Sequence, residues 1–147
     1  MLTLASARLI AEAVLQKGHE LGLDPLTAAV LDPGGHLVVL NRDDGSGILR
    51  PEIAIGKAWG VLGLGLPARE LARRAERMPG FFAALNAMSG GKVVPVPGGV
   101  LIRSPDGVVA GAVGVSGDTS DQDEACALHG VRAAGLQPWV DGDRPPS

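Results

Sequence analysis

The apolar positions near the start of the chain recur with a helical period. Leu4, Ala7, Leu9, Ile10, Ala13 and Val14 predict one buried stripe on a helix. That helix runs from a Thr3 cap to about Leu21, and Gly22 stops it. LTAAVLD (26–32) and HLVVLNR (36–42) then flank Pro33-Gly34-Gly35, which predicts a β-hairpin, followed by a loop at 43–47. Pro51 suits the first turn of a second helix, with Glu52 beside its positive end. This helix carries Ile53, Ile55, Lys57, Ala58, Trp59 and Val61, while Gly60, Gly63 and Gly65 weaken it and leave room for another backbone. PARELARRAERM, from Pro67, predicts a third helix closed by Pro79-Gly80, and FFAALNAM a further helical turn or two.

The texture changes at SGGKVVPVPGGVLIR (89–103), which predicts an edge strand or irregular loop feeding a strand at about 99–103. Ser104-Pro105-Asp106-Gly107 carries a type I turn signal, and VVAGAVGVSG (108–117) reads as a central strand. A last helix is expected from about Asp121 to Ala134. The order α-β-β-α-α-β-β-α predicts an α+β fold with helices on an antiparallel sheet. One domain is expected over 1–136, then a loose tail over 137–147 in which Trp139 alone docks.

Composition narrows this picture. The hydrophobic fraction is 46%, aromatics are only 3% and Tyr is absent, so the core has to be aliphatic. A net charge of −3 gives the whole molecule no pull toward nucleic acid or an anionic membrane. The basic cluster Arg69, Arg73, Arg74 and Arg77 alternates with Glu70 and Glu76 and reads as a solvated helix face. Cys126 stands alone, which leaves no intrachain disulfide and no cysteine-based zinc site. Residues 1–15 have the look of a signal peptide, but Arg8 and Glu12 break the apolar stretch, so a cytoplasmic protein is expected.

Candidate chemistry gathers after Ser116-Gly117. Asp121, Asp123 and Glu124 put three acids into four positions at a helix start, where Ser120 or Asp121 would serve as cap. Capping needs one or two of them, so capping alone and capping plus a site role both stand. Lys57 lies on an otherwise apolar helix and has to snorkel, pair or line a cavity. Facing Asp123 or Glu124, it would form a structural pair, or hold a ligand carboxylate while an acid moves a proton. Gly98-Gly99 beside Pro97 offers either an anion-binding turn or a turn that needs positive φ. Of the three histidines, His36 follows a turn, His129 follows Cys126 by one helical turn, and His19 suits the negative end of the first helix. Each reads first as a surface or packing residue. His19 is the leading candidate for a haem iron, although so few aromatics argue against a dedicated haem pocket. GVLGLG (60–65) follows a helix instead of a strand and is no dinucleotide motif.

VLDPGGHLVVLNRDDG, EIAIGKA, VPGGVLI and above all GVVAGAVGVSGDTSDQDEACA resemble the GlcG/HbpS-like family, whose relatives include the C-terminal domain of PduO-type proteins. The resemblance spans Leu2 to about Leu136. It implies a profilin-like α/β/α sandwich around a five-stranded antiparallel sheet, assembled as a dimer or a higher homo-oligomer such as an octamer. It also implies a small-molecule ligand: several relatives bind haem and some are credited with degrading it, while others stand near cobalamin or glycolate metabolism. Haem is therefore the cofactor to test, and no separate metal site is implied. Matched one by one, the family's positions fall on Asp32, Gly35, Arg42, Lys57, Pro97, Gly98, Gly99, Ser116, Gly117, Gln122, Asp123 and Glu124. Three places depart from the pattern: Gly60 replaces a small hydroxyl residue, Leu101 replaces a strand proline, and His129 is unexpected.

Three functions are therefore weighed. The chain is an oligomeric binding domain for haem or another small anion. Alternatively it is a metal-free acid–base enzyme in which Lys57 and Arg42 anchor a carboxylate and Asp123 or Glu124 moves a proton. The third reading is an accessory subunit without chemistry.

Overall fold

The computed structural model describes residues 2–143, so Met1 and the last four residues of the expected tail lie outside the described residues. Its elements are α1 (Leu4–Glu20), β1 (Thr27–Leu31), β2 (Leu37–Arg42), α2 (Arg50–Leu64), α3 (Ala68–Arg77), α4 (Pro79–Ser89), β3 (Gly99–Arg103), β4 (Val109–Ser116), α5 (Ser120–Ala133) and β5 (Gln137–Pro138). The strands form one five-stranded antiparallel sheet in the order β2-β1-β4-β3-β5. The fold is α+β. Among the described residues no helix is long and apolar enough to cross a membrane.

Both faces of the sheet are covered. α1 and α5 pack on one, where Ile10, Val14, Val30, Val113 and Val131 are buried together. α2 packs on the other, with α3 and α4 outside it, around Leu31, Val61, Leu71 and Leu101. α2 approaches the sheet at backbone distance because the facing strand positions have no side chain. A Cβ at Gly114 would run into the Ala54 carbonyl, and one at Gly99 into the Lys57 carbonyl.

Most predicted elements are where the pattern puts them, with four differences. Leu4 and Leu9 are exposed, because the buried stripe of α1 runs through Ala7, Ile10, Ala11, Val14 and Gly18 instead. Pro79 and Gly80, expected to close the third helix, instead open α4 directly after Met78, since proline at a first helical turn loses no hydrogen bond. The cap of α5 is Thr119, whose hydroxyl accepts from the Gln122 N–H, so Ser120 and Asp121 fall inside the first turn. Last, the expected tail supplies the fifth strand. Gln137 and Pro138 pair with Arg103 and Ile102, and Trp139 docks at 4% exposure, as its aromatic bulk predicts.

Candidate functional site at the exit of the central strand

α2 and α5 lie on opposite faces of the sheet, yet one side chain from each meets just past the end of β4. The Lys57 ammonium donates to the Val115 carbonyl at 2.9 Å and to Asp123 Oδ2 at 3.0 Å. Asp123 Oδ1 accepts from the Asp118 N–H at 3.0 Å. The two side chains are 4% and 1% exposed, so this is a buried ion pair. Burial pulls the Lys57 ammonium below the usual lysine range and Asp123 opposes it. Burial likewise pushes the Asp123 carboxyl up, against the pull of Lys57.

The other two acids have a different partner. Arg69 on α3 reaches Asp121 Oδ1 at 2.8 Å through Nη2 and Glu124 Oε1 at 3.0 Å through Nε. The hydrogen bonds that Arg69 donates to Glu124 and then to Asp121 raise its basicity further. The three surplus acids are thus divided between two cations, and they fasten α2 and α3 to α5. Lys57 and both Asp123 oxygens are committed to these pairings, and Glu124 commits Oε1 to Arg69. Arg73, Arg74 and Arg77 surround Glu70 on the solvated face, as the charge pattern predicts, and Arg73 also holds Asp141.

Pro97, Gly98 and Gly99 do reach this region. Gly98 has φ +123°, and a Cβ there would crowd the Lys57 ammonium and the Val115 carbonyl. Its own carbonyl accepts from the Val115 N–H at 2.9 Å. The glycine pair therefore makes room for α2 and its lysine. Gly117 is packed against Pro25 and Leu26.

Ser116 is fully buried and leads to a cation that sequence reasoning missed. Arg50 Nη1 donates to Ser116 Oγ at 3.1 Å. Among the described residues no carboxylate lies within ion-pair distance of Arg50. Thr27 pairs with Ser116 across the sheet, and its hydroxyl shares a 2.8 Å hydrogen bond with Ser46. A signal for Arg50 was available: it is the first residue of α2, where the helix dipole disfavours a cation.

Arg42 lies at the same end of the sheet, paired with Thr27 on the edge strand β2, but it is exposed and it is Arg50 that reaches Ser116. One expected member does not converge with the rest. Asp32 lies beyond Leu31, separated from Ser116 by the length of β1, about 14 Å. It caps the hairpin turn, accepting from the Gly34 and His36 N–H groups at 2.9 Å each, which holds its carboxyl below the usual range. Asp32 also lines a separate cavity of about 490 Å³ with Pro33, Val38, Ser104 and Asp106.

His19 lies at the same end of the sheet as Arg50. Its exposed ring places Nε2 2.5 Å from Asp43 Oδ2, and Ser46 donates its N–H to the Asp43 carbonyl. A continuous path of contacts thus runs from His19 through Asp43, Ser46, Thr27 and Ser116 to Arg50. His36 is exposed against Asp32. His129 is exposed while Cys126, one turn earlier, is buried, so the two do not share a face as their spacing suggests. Burial pushes the Cys126 thiol up to about 11, with Asp123 adding to the effect.

This fold and site define a small sheet domain whose strand exit is locked from both faces and carries a guanidinium with no carboxylate partner among the described residues. A family model described as "Haem degrading protein HbpS-like" matches residues 2–132, and the chain belongs to that family. The chain is 31% identical over 126 residues to a Citrobacter freundii protein described as an uncharacterized 15.0 kDa protein in the dhaT-dhaS intergenic region, covering 86% of this chain and 87% of that one. A PduOC:heme complex is similar in structure, with TM-score 0.81 and 25% identity, covering 92% of this chain and 96% of that chain. The Klebsiella pneumoniae protein ORFY also has TM-score 0.81, at 28% identity, with coverage of 91% and 90%.

Proposed function

We propose that the protein is an oligomeric binding protein for haem or another small anionic ligand, working in the cytoplasm, where a lone buried thiol stays reduced. The family description and the haem complex of a structural relative support this reading. The observation that carries it is His19. Its side chain is 66% exposed, Asp43 engages Nε2, and Nδ1 has no hydrogen-bond partner among the described residues. A carboxylate on one ring nitrogen is the usual support for a histidine that ligates a metal through the other. Exposed Leu21 follows two residues later, at the C-terminal end of the same helix. These residues fit an iron porphyrin, with His19 as the residue that would hold the iron. Bound haem supplies a redox-active iron whose behaviour is set by its axial ligand and surroundings.

Titration with haemin is expected to give a saturable Soret shift that His19→Ala abolishes and His129→Ala leaves intact. A shift that survives His19→Ala would remove histidine ligation at this position.

Assembly is assigned to α4. PGFFAALNAMS has no charged residue, and only Phe82 of it is buried, while Phe81 and Met88 are 51% and 74% exposed. A second copy of the chain would cover such a face. Combining Phe81→Glu with Met88→Glu should lower the mass measured by light scattering toward that of one chain. An unchanged mass would place the interface elsewhere.

A further inference from the structure

We infer that Arg50, held on Ser116, receives a carboxylate of the ligand, and that the buried Lys57–Asp123 pair positions it. This rests on the small-anion reading above and narrows the ligand to an amphiphilic carboxylate.

The electrostatics at Arg50 are unsatisfied in three independent ways. It has no carboxylate partner among the described residues. It stands at the positive end of α2. Lys57, on the same helix, is close enough for the two cations to repel. Asp123, the nearest acid to Lys57, already answers that ammonium and the Asp118 N–H. An arriving carboxylate would relieve all three, and a guanidinium fork suits it better than an ammonium would. The two residues before Arg50 are Ile48 and Leu49, exposed to 84% and 67%. A cation beside bare apolar side chains fits a ligand with a carboxylate on an apolar body.

Lys57 and Asp123 act one layer behind. Lys57 binds the carbonyl of Val115, the residue before Ser116, and Asp123 binds the N–H of Asp118, two residues after it. The strand exit is thus held on both sides of the hydroxyl that orients Arg50. Both side chains are too buried to touch a ligand, so they are positioning residues.

The test uses metal-free protoporphyrin IX and its dimethyl ester, titrated into the full chain by fluorescence. The wild type should bind the diacid at least about tenfold tighter than the diester, the size of one charge-assisted hydrogen bond. Arg50→Ala should erase that preference and leave diester binding unchanged, with Arg50→Lys restoring part of it. Lys57→Met should also reduce the preference, and should add nothing in the Arg50→Ala background. Should Lys57→Met fail to fold, Ser116→Ala carries the same expectation. Equal binding of diacid and diester by the wild type overturns this inference while ligand binding stands. Independent, additive losses from the positioning variant and Arg50→Ala overturn the positioning role. Failure of both porphyrins to bind a protein that still takes up haemin overturns this inference alone, and failure of haemin as well overturns the proposed function.

Discussion

Asp123→Ala should destabilise the protein by about 3–5 kcal/mol, the cost of leaving a buried charge without its partner. The Lys57 ammonium would remain 4% exposed with only the Val115 carbonyl to meet it, and the Asp118 N–H would lose its acceptor. Urea unfolding followed by circular dichroism measures the effect, and a loss below about 1 kcal/mol would mean that water enters the site and solvates the lysine. The reciprocal variant, Lys57→Met, adds a pH signature. Without the lysine, burial acts on Asp123 against only the Asp118 N–H hydrogen bond and holds its carboxyl above the ordinary value. A folded state with a raised carboxyl pKa binds its proton more tightly than the unfolded chain does. The stability of Lys57→Met is therefore greatest below the unfolded value of about 4 and falls as pH rises through the window above it. A variant equally stable at pH 4 and pH 7 would contradict this.

Gly114→Ala is expected to be equally damaging for a different reason. The new methyl would overlap the carbonyl of Ala54 and crowd the Ala58 nitrogen, and both are helix backbone. A side chain can swing away from such a collision; α2 can yield only by lifting from β4, which would open the packing around Ala58 and Val61. Overpacking of flexible cores costs about 1–3 kcal/mol, so a clash with rigid backbone should reach or exceed the top of that range. Gly80→Ala is the control, because a Cβ there meets nothing within 4 Å. Equal thermal midpoints for the two variants would show that α2 shifts freely against the sheet.

The fold was legible where local chemistry decides it. The Pro33-Gly34-Gly35 turn, the prolines at the starts of α2 and α3 and the two apolar runs of β1 and β2 are short-range signals, and the structure follows them. Lys57 was legible as a residue in need of a partner, because an apolar helix cannot solvate an ammonium. Which acid answers it was not legible, since Asp121, Asp123 and Glu124 are adjacent in sequence and only helix phase separates the buried carboxylate from the two that face Arg69. Arg69 was hidden in a run of arginines where one solvated face explained all four. Arg50 was passed over although it breaks a local rule, a cation at the positive end of a helix, and such violations are where a functional role should be sought.

The C-terminal segment bears on where the folded unit ends. The family match stops at residue 132, but Gln137 and Pro138 close the sheet, Trp139 fills the space beside Leu101, and Asp141 and Asp143 are gripped by Arg73 and Arg103. A recombinant fragment trimmed to the homology boundary would therefore lack a wall of its own interior. Expression vectors and fusion linkers for this protein should join beyond Asp143.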